Sequence, residues 1–164
     1  MEASLTSLYQ ELILEHYRNP RNKGELADPT AEARVANPVC GDEVTVQIRV
    51  DGDRIEEIAF DGQGCSISQA SVSMMTALVK GRERSEAIGL ADLFTDMMRG
   101  SEGASPDRSL GDLRALQGVS QFPVRIRCAL LAFDALREAL GAGLEADSTG
   151  GVVHNDGSRR ETTH

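Results

Sequence analysis

Residues 43–61, EVTVQIRVDGDRIEEIAFD, decide the fold. Val44, Val46, Ile48 and Val50 alternate with Glu43, Thr45, Gln47 and Arg49, so a strand here has one apolar and one polar face. Asp51-Gly52 supplies a hairpin turn. The return strand carries Ile55, then Ile58 and Phe60. Its spacing slips by one at Glu56-Glu57, which predicts a β-bulge. A shorter strand is expected at Ala33–Ala36. A small antiparallel sheet with one apolar face needs helices to cover that face, and the flanking sequence supplies them.

Upstream, Leu5, Leu8, Tyr9, Leu12, Ile13, His16 and Tyr17 recur at helical spacing and predict a helix over 5–18. Asn19-Pro20 stops it, because the residue before proline is pushed out of the helical region. Downstream, Ser66 and Gln69 fit a capping box for a helix from Ile67 to Lys80, with Gly81 as its stop. Its stripe of Ile67, Ala70, Met74, Met75 and Leu78 reads as core. Residues 85–99 predict a third helix, Gly100–Asp107 a flexible loop, and Leu110–Leu116 a short helix. Pro123 suits the first position of a last helix ending near Leu140. From Gly141 onward apolar residues are few and glycines many, so 144–164 is expected to be a disordered tail. The expectation is an α+β domain over residues 1–143, with about three antiparallel strands and helices on one face.

The chain has 164 residues, 40% hydrophobic and 26% charged, which is the composition of a soluble globular domain. Its net charge of −9 argues against nucleic acid and against an anionic membrane surface as partners. No apolar run approaches the ~18 residues of a spanning helix. Met1-Glu2-Ala3-Ser4 has no basic or apolar leader character, so the expected location is cytoplasmic.

Cys40, Cys65 and Cys128 are the three cysteines. An odd number makes a poor disulfide framework, and in a reducing compartment working thiols are usually metal ligands or nucleophiles. The plainer alternative is three buried thiols packed as small hydrophobes. Each lies at a junction. Cys40 and Asp42 flank Gly41 in NPVCGD (37–42). Cys65 ends DGQGC (61–65), before a helix whose N-terminus favours anions. Cys128 closes QFPVRIRC (121–128), with Arg125 and Arg127 close by. Together, three thiolates and one carboxylate would form a Cys3Asp tetrahedral zinc site with a double negative charge, which the two arginines would offset. A hard oxygen donor among thiolates should be exchangeable. His16 reads as a packed helix residue, and His154 and His164, in the tail, are disfavoured as extra ligands.

Four stretches carry a family resemblance: LYQELILEHYRNPRNKG (8–24), NPVCGDEV (37–44), FDGQGCSISQAS (60–71) and QGVSQFPVRIRCALLAF (117–133). Over roughly residues 5–140 the chain resembles the SufU branch of the IscU/NifU-N-like iron–sulfur assembly proteins. Arg127 stands where the scaffold branch typically has histidine. The long stretch between Cys65 and Cys128 is consistent with a SufU-type insertion near 94–112. The resemblance implies a sulfurtransferase with one Zn2+ per chain, held by Cys40, Asp42, Cys65 and Cys128. It would take persulfide sulfur from a SufS-type cysteine desulfurase and serve downstream iron–sulfur assembly machinery. Cys40 would be the sulfur acceptor, freed from zinc when a desulfurase histidine replaces it. Two alternatives stand beside this: a scaffold holding a [2Fe–2S] cluster on the same thiolates, and a structural zinc module that only staples loops.

Overall fold

The computed structural model describes residues 2–38, 41–99, 108–149 and 153–155, with side chains described over 9–38, 41–99 and 108–141. Helix α1 (Glu2–Arg18) leads into β1 (Ala31–Asn37), β2 (Asp42–Asp51) and β3 (Arg54–Gln63). Helices α2 (Ser66–Val79) and α3 (Arg84–Met98) follow, then a 3-10 segment (Arg108–Gln121), α4 (Pro123–Thr149) and a short β4 (Val153–Asn155). The sheet order is β3-β2-β1-β4. The three long strands are antiparallel neighbours, which is the α+β architecture the sequence predicts. Among the described residues, no helix is long and apolar enough to cross a membrane.

The hairpin follows its alternation. Val44, Val46 and Ile48 are wholly buried. Gly52 carries a φ of 63°, which suits the first central position of a two-residue loop and is costly for other residues. The register slips where Arg49 faces Glu57 but Val50 faces Ile55, so Glu56 is the bulged residue. The β3 edge is capped at two positions. Gly24 and Asn22 exchange backbone hydrogen bonds with Phe60, and Gly81 and Arg82 do so with Ile55. Each such bond removes a ladder group that a second chain could otherwise pair with.

Helices α2 and α4 lie against the sheet, with α1 and α3 packed on them. Phe94 of α3 meets Phe133 of α4 with ring centroids 4.8 Å apart, and both rings are wholly buried. Tyr17 departs from the expected stripe and is 46% exposed. Twelve residues at about 100° each carry it about 120° round from Leu5. The 3-10 segment runs longer than the expected 110–116. Leu110, Leu113, Leu116 and Val119 are buried at every third residue, the period of a 3-10 and not of an α-helix.

The C-terminus also differs from the sequence reading. Helix α4 passes Leu140 and continues to Thr149, and Val153–Asn155 pairs in parallel with Ala31–Ala33. Two helix glycines at about 1 kcal/mol each weaken a helix without ending it when Ala, Leu and Glu surround them. The remainder of the expected tail, at 150–152 and 156–164, lies outside the described residues, as does the expected loop at 100–107.

Truncating Phe133 to alanine removes the ring that joins α3 and α4. The Phe133→Ala variant should lose about 3–5 kcal/mol in denaturant unfolding.

Candidate metal centre

Asp42 opens β2, and the β2–β3 register sets it opposite the end of β3, where Gly64 and Cys65 follow. Its carboxylate is 1% exposed. A buried charge must be paired or hydrogen-bonded to be tolerated. The Cys65 N–H donates to Asp42 Oδ1 at 2.9 Å, and the Cys65 thiol lies 3.5 Å from Oδ2. Gly64 makes this approach possible. Its φ is +149°, and an added Cβ would collide with Asp42 Oδ1 and lie 2.9 Å from Ser68 Oγ.

Cys65 is the N-cap of α2, with extended φ −73° and ψ 167°, and its Sγ accepts the Ser68 N–H at 3.5 Å. The Ser66–Gln69 pattern predicts the cap at Ser66, which is instead the first helical residue. The expected Ser66–Gln69 box is therefore out of phase. Gln69 Nε2 donates to Ser68 Oγ at 3.2 Å, and the Ser68 hydroxyl donates to the Cys65 carbonyl at 3.2 Å. Ser68 is wholly buried, and its role in holding the Cys65 turn escaped the sequence reading. A side-chain cap one residue before a serine leaves only the cysteine itself as a signal.

Cys128 lies in the second turn of α4 and is wholly buried. The neighbouring Ser71 hydroxyl of α2 donates to the Ala129 carbonyl at 2.7 Å. This bond sets α4 against α2 beside both cysteines.

Asp42, Cys65 and Cys128 thus converge, with one ligand atom from each within 4.8 Å of the others. Tetrahedral zinc with sulfur at about 2.3 Å needs sulfurs about 3.8 Å apart, so closure takes shifts of about 1 Å. Two soft thiolates and one carboxylate suit zinc or iron better than magnesium or calcium. Cys40 lies outside the described residues. Among the described residues beside it, the Gly41 N–H donates to the Asn37 carbonyl at 2.8 Å and Gly41 has a φ of +76°.

Arg125 and Arg127 are exposed on the first turns of α4. A cleft of ≈ 690 Å³ opens at Ser66, the residue after Cys65, and is lined also by Ile67 of α2, by Tyr9 of α1, and by Val119, Phe122 and Arg125. His16 is buried elsewhere, bonded to Ser73 and Asp112, as its reading as a packed residue anticipates. The His154 side chain and His164 lie outside the described residues.

A family model described as NifU-like N terminal domain matches residues 8–140. The chain is 46% identical over 138 residues to the zinc-dependent sulfurtransferase SufU of Bacillus subtilis (strain 168), covering 84% of this chain and 92% of that one. It is 42% identical over 138 residues to the iron–sulfur cluster assembly scaffold protein IscU of Streptococcus pyogenes serotype M1, covering 84% and 86%. Among solved structures it resembles a nitrogen-fixing NifU-like protein (N-terminal) from Brucella abortus. The TM-score is 0.74 at 30% identity, covering 80% of this chain and 91% of that one.

Gly64→Ala drives a methyl group into the buried carboxylate. It should cost about 2–3 kcal/mol in denaturant unfolding. Zinc competition against a chromophoric chelator should also show at least a ~10-fold loss of affinity.

Proposed function

Because the chain belongs to the NifU-like N-terminal domain family, we propose that it serves iron–sulfur cluster assembly as a zinc-dependent sulfurtransferase, accepting persulfide sulfur from a SufS-type cysteine desulfurase. We assign this activity to residues 1–143, with an insertion near 94–112, acting in the cytoplasm. The observation that carries the reading is the convergence of Asp42, Cys65 and Cys128 from three separate junctions. Cys40 completes the donor set. It stands two peptide units from Asp42, so its Cα is within about 7.6 Å of that residue's.

Zinc, when bound, supplies positive charge that keeps the coordinated thiols deprotonated and shielded from oxidation. The protein's own residues divide the remaining work. Asp42 is anchored by the Cys65 N–H and by burial, and Cys128 is buried in α4, so these two form the fixed side of the centre. Cys40, which falls in the sequence between β1 and β2, is the sulfur acceptor. Its thiolate attacks the terminal sulfur of the desulfurase persulfide. A new S–S bond forms at Cys40 as the donor S–S bond breaks, and the donor leaves as a thiolate. One disulfide-type bond is exchanged for another, so no external oxidant or reductant is needed. Arg125 and Arg127 are exposed cations at the mouth of α4. They offset the negative charge of the donors and of the incoming persulfide anion.

A second reading is a scaffold that builds and passes on a [2Fe–2S] cluster. It is favoured by the thiolate-rich donor set and by the similarity to a relative named as a scaffold. Arg127, standing where the scaffold branch typically has histidine, favours sulfur transfer. Purified protein should carry one equivalent of zinc and no visible absorption. A reconstituted cluster that transfers intact to an apo-acceptor would replace the first reading with the second.

Cys40→Ala should abolish stimulation of desulfurase turnover, measured as alanine release from cysteine. Stimulation equal to the wild type would remove Cys40 as the acceptor.

A further inference from the structure

The 3-10 segment Arg108–Gln121 is tied to the body of the protein by a buried histidine that the sulfur chemistry does not use. His16, on α1, is 1% exposed. Its Nε2 lies 2.9 Å from Asp112 Oδ2, on the 3-10 segment, and its Nδ1 lies 2.7 Å from Ser73 Oγ, on α2. A carboxylate only accepts, so in the neutral ring Nε2 carries the hydrogen and Nδ1 is left to accept one from the Ser73 hydroxyl. The Ser73 oxygen in turn accepts the Arg21 N–H at 2.8 Å. The chain of bonds is therefore directional, from the loop after α1, through α2 and α1, to the 3-10 segment.

Within the segment, Arg114 Nε–H donates to the Gly111 carbonyl at 3.0 Å, where the backbone leaves helical geometry (φ 56°, ψ −129°). Its far end carries Ala115, Gly118, Val119 and Gln121, which wall the cleft together with Ser66, the residue after Cys65. The geometry assigns His16 and Asp112 as a positioning pair: together they clamp the segment Arg108–Gln121 as the wall of the cleft next to the cysteine centre. Neither residue reaches the donor atoms. Their effect passes through the wall, so they govern how well the cleft receives the sulfur donor and not the chemistry at Cys40. This functional consequence rests on the sulfur-transfer reading; the clamp itself does not.

The Asp112 side chain is 54% exposed, so its truncation leaves no core cavity. Asp112→Ala and Asp112→Asn would be compared with the wild type as full-length, zinc-loaded protein. Hydrogen exchange in peptides spanning 108–121 should rise about tenfold in Asp112→Ala, the factor expected for losing one charge-assisted hydrogen bond. It should return most of the way in Asp112→Asn, whose amide oxygen still accepts from Nε2–H. The zinc content should stay at one equivalent. The protein concentration giving half-maximal desulfurase stimulation should rise several-fold in Asp112→Ala, with the plateau unchanged. Unchanged exchange in 108–121 would overturn the clamp. Zinc loss, a lowered plateau or an unmoved half-saturation would overturn its positioning role. A wild type that fails to stimulate the desulfurase would sink the sulfur-transfer reading, while the exchange comparison would still decide the clamp.

Discussion

The bond from the Cys65 N–H to Asp42 joins the start of the sheet to the start of its central helix. A carboxylate 1% exposed is stable only when its oxygens are satisfied, and this one is satisfied by a backbone donor held in place by the chain reversal at Gly64. The reversal requires a residue with no Cβ. The β2–β3 register places that residue opposite Asp42, and a slip of one position would point the carboxylate to the other face. Hard–soft mismatch alone would make the oxygen donor the exchangeable one. Burial and the backbone bond act in the opposite direction, and they bind the carboxylate more firmly to the fold than any half-buried thiol.

Helix α2 extends the same logic along its length. It is surrounded by other elements, and three of its buried polar residues tie it to them. Ser71 holds α4 through the Ala129 carbonyl, Ser73 holds α1 and the loop after it, and Thr76 has the carbonyls of Arg21 and Ser73 within reach of its single hydroxyl hydrogen. Each hydroxyl would be costly in such a place without a partner. Satisfied, they specify how the neighbouring helices dock, which apolar contacts alone leave less sharply defined. Cys65 and Cys128 meet because Ser71 links the two helices that carry them.

Much of the fold could be read locally. The alternation of Val44, Val46 and Ile48, the bulge at Glu56, the stop at Gly81 and the start at Pro123 all depend on residues within one or two turns of each other. The misplacements have the same origin. Ser66-Ile-Ser-Gln69 matches a capping box, yet Asp42, from a distant strand, draws the Cys65 amide to itself and moves the cap back by one. The glycines after Leu140 suggested an end, but the helix carries on through them. The three-residue period of Leu110, Leu113, Leu116 and Val119 was present in the sequence and points to a 3-10 segment rather than a short α-helix.

The amino-acid sequence determined by itself where the three long strands and most of the helices lie and which side chains bear metal-binding chemistry, because periodicity, turn residues and donor type are local properties. The tertiary structure alone decided that Asp42, Cys65 and Cys128 share one centre, and that His16 faces Asp112 instead of joining them. Those meetings depend on strand register and on the docking of α1 and α4 against α2. They are set by packing and by buried hydrogen bonds between residues tens of positions apart, and no local window of sequence encodes them.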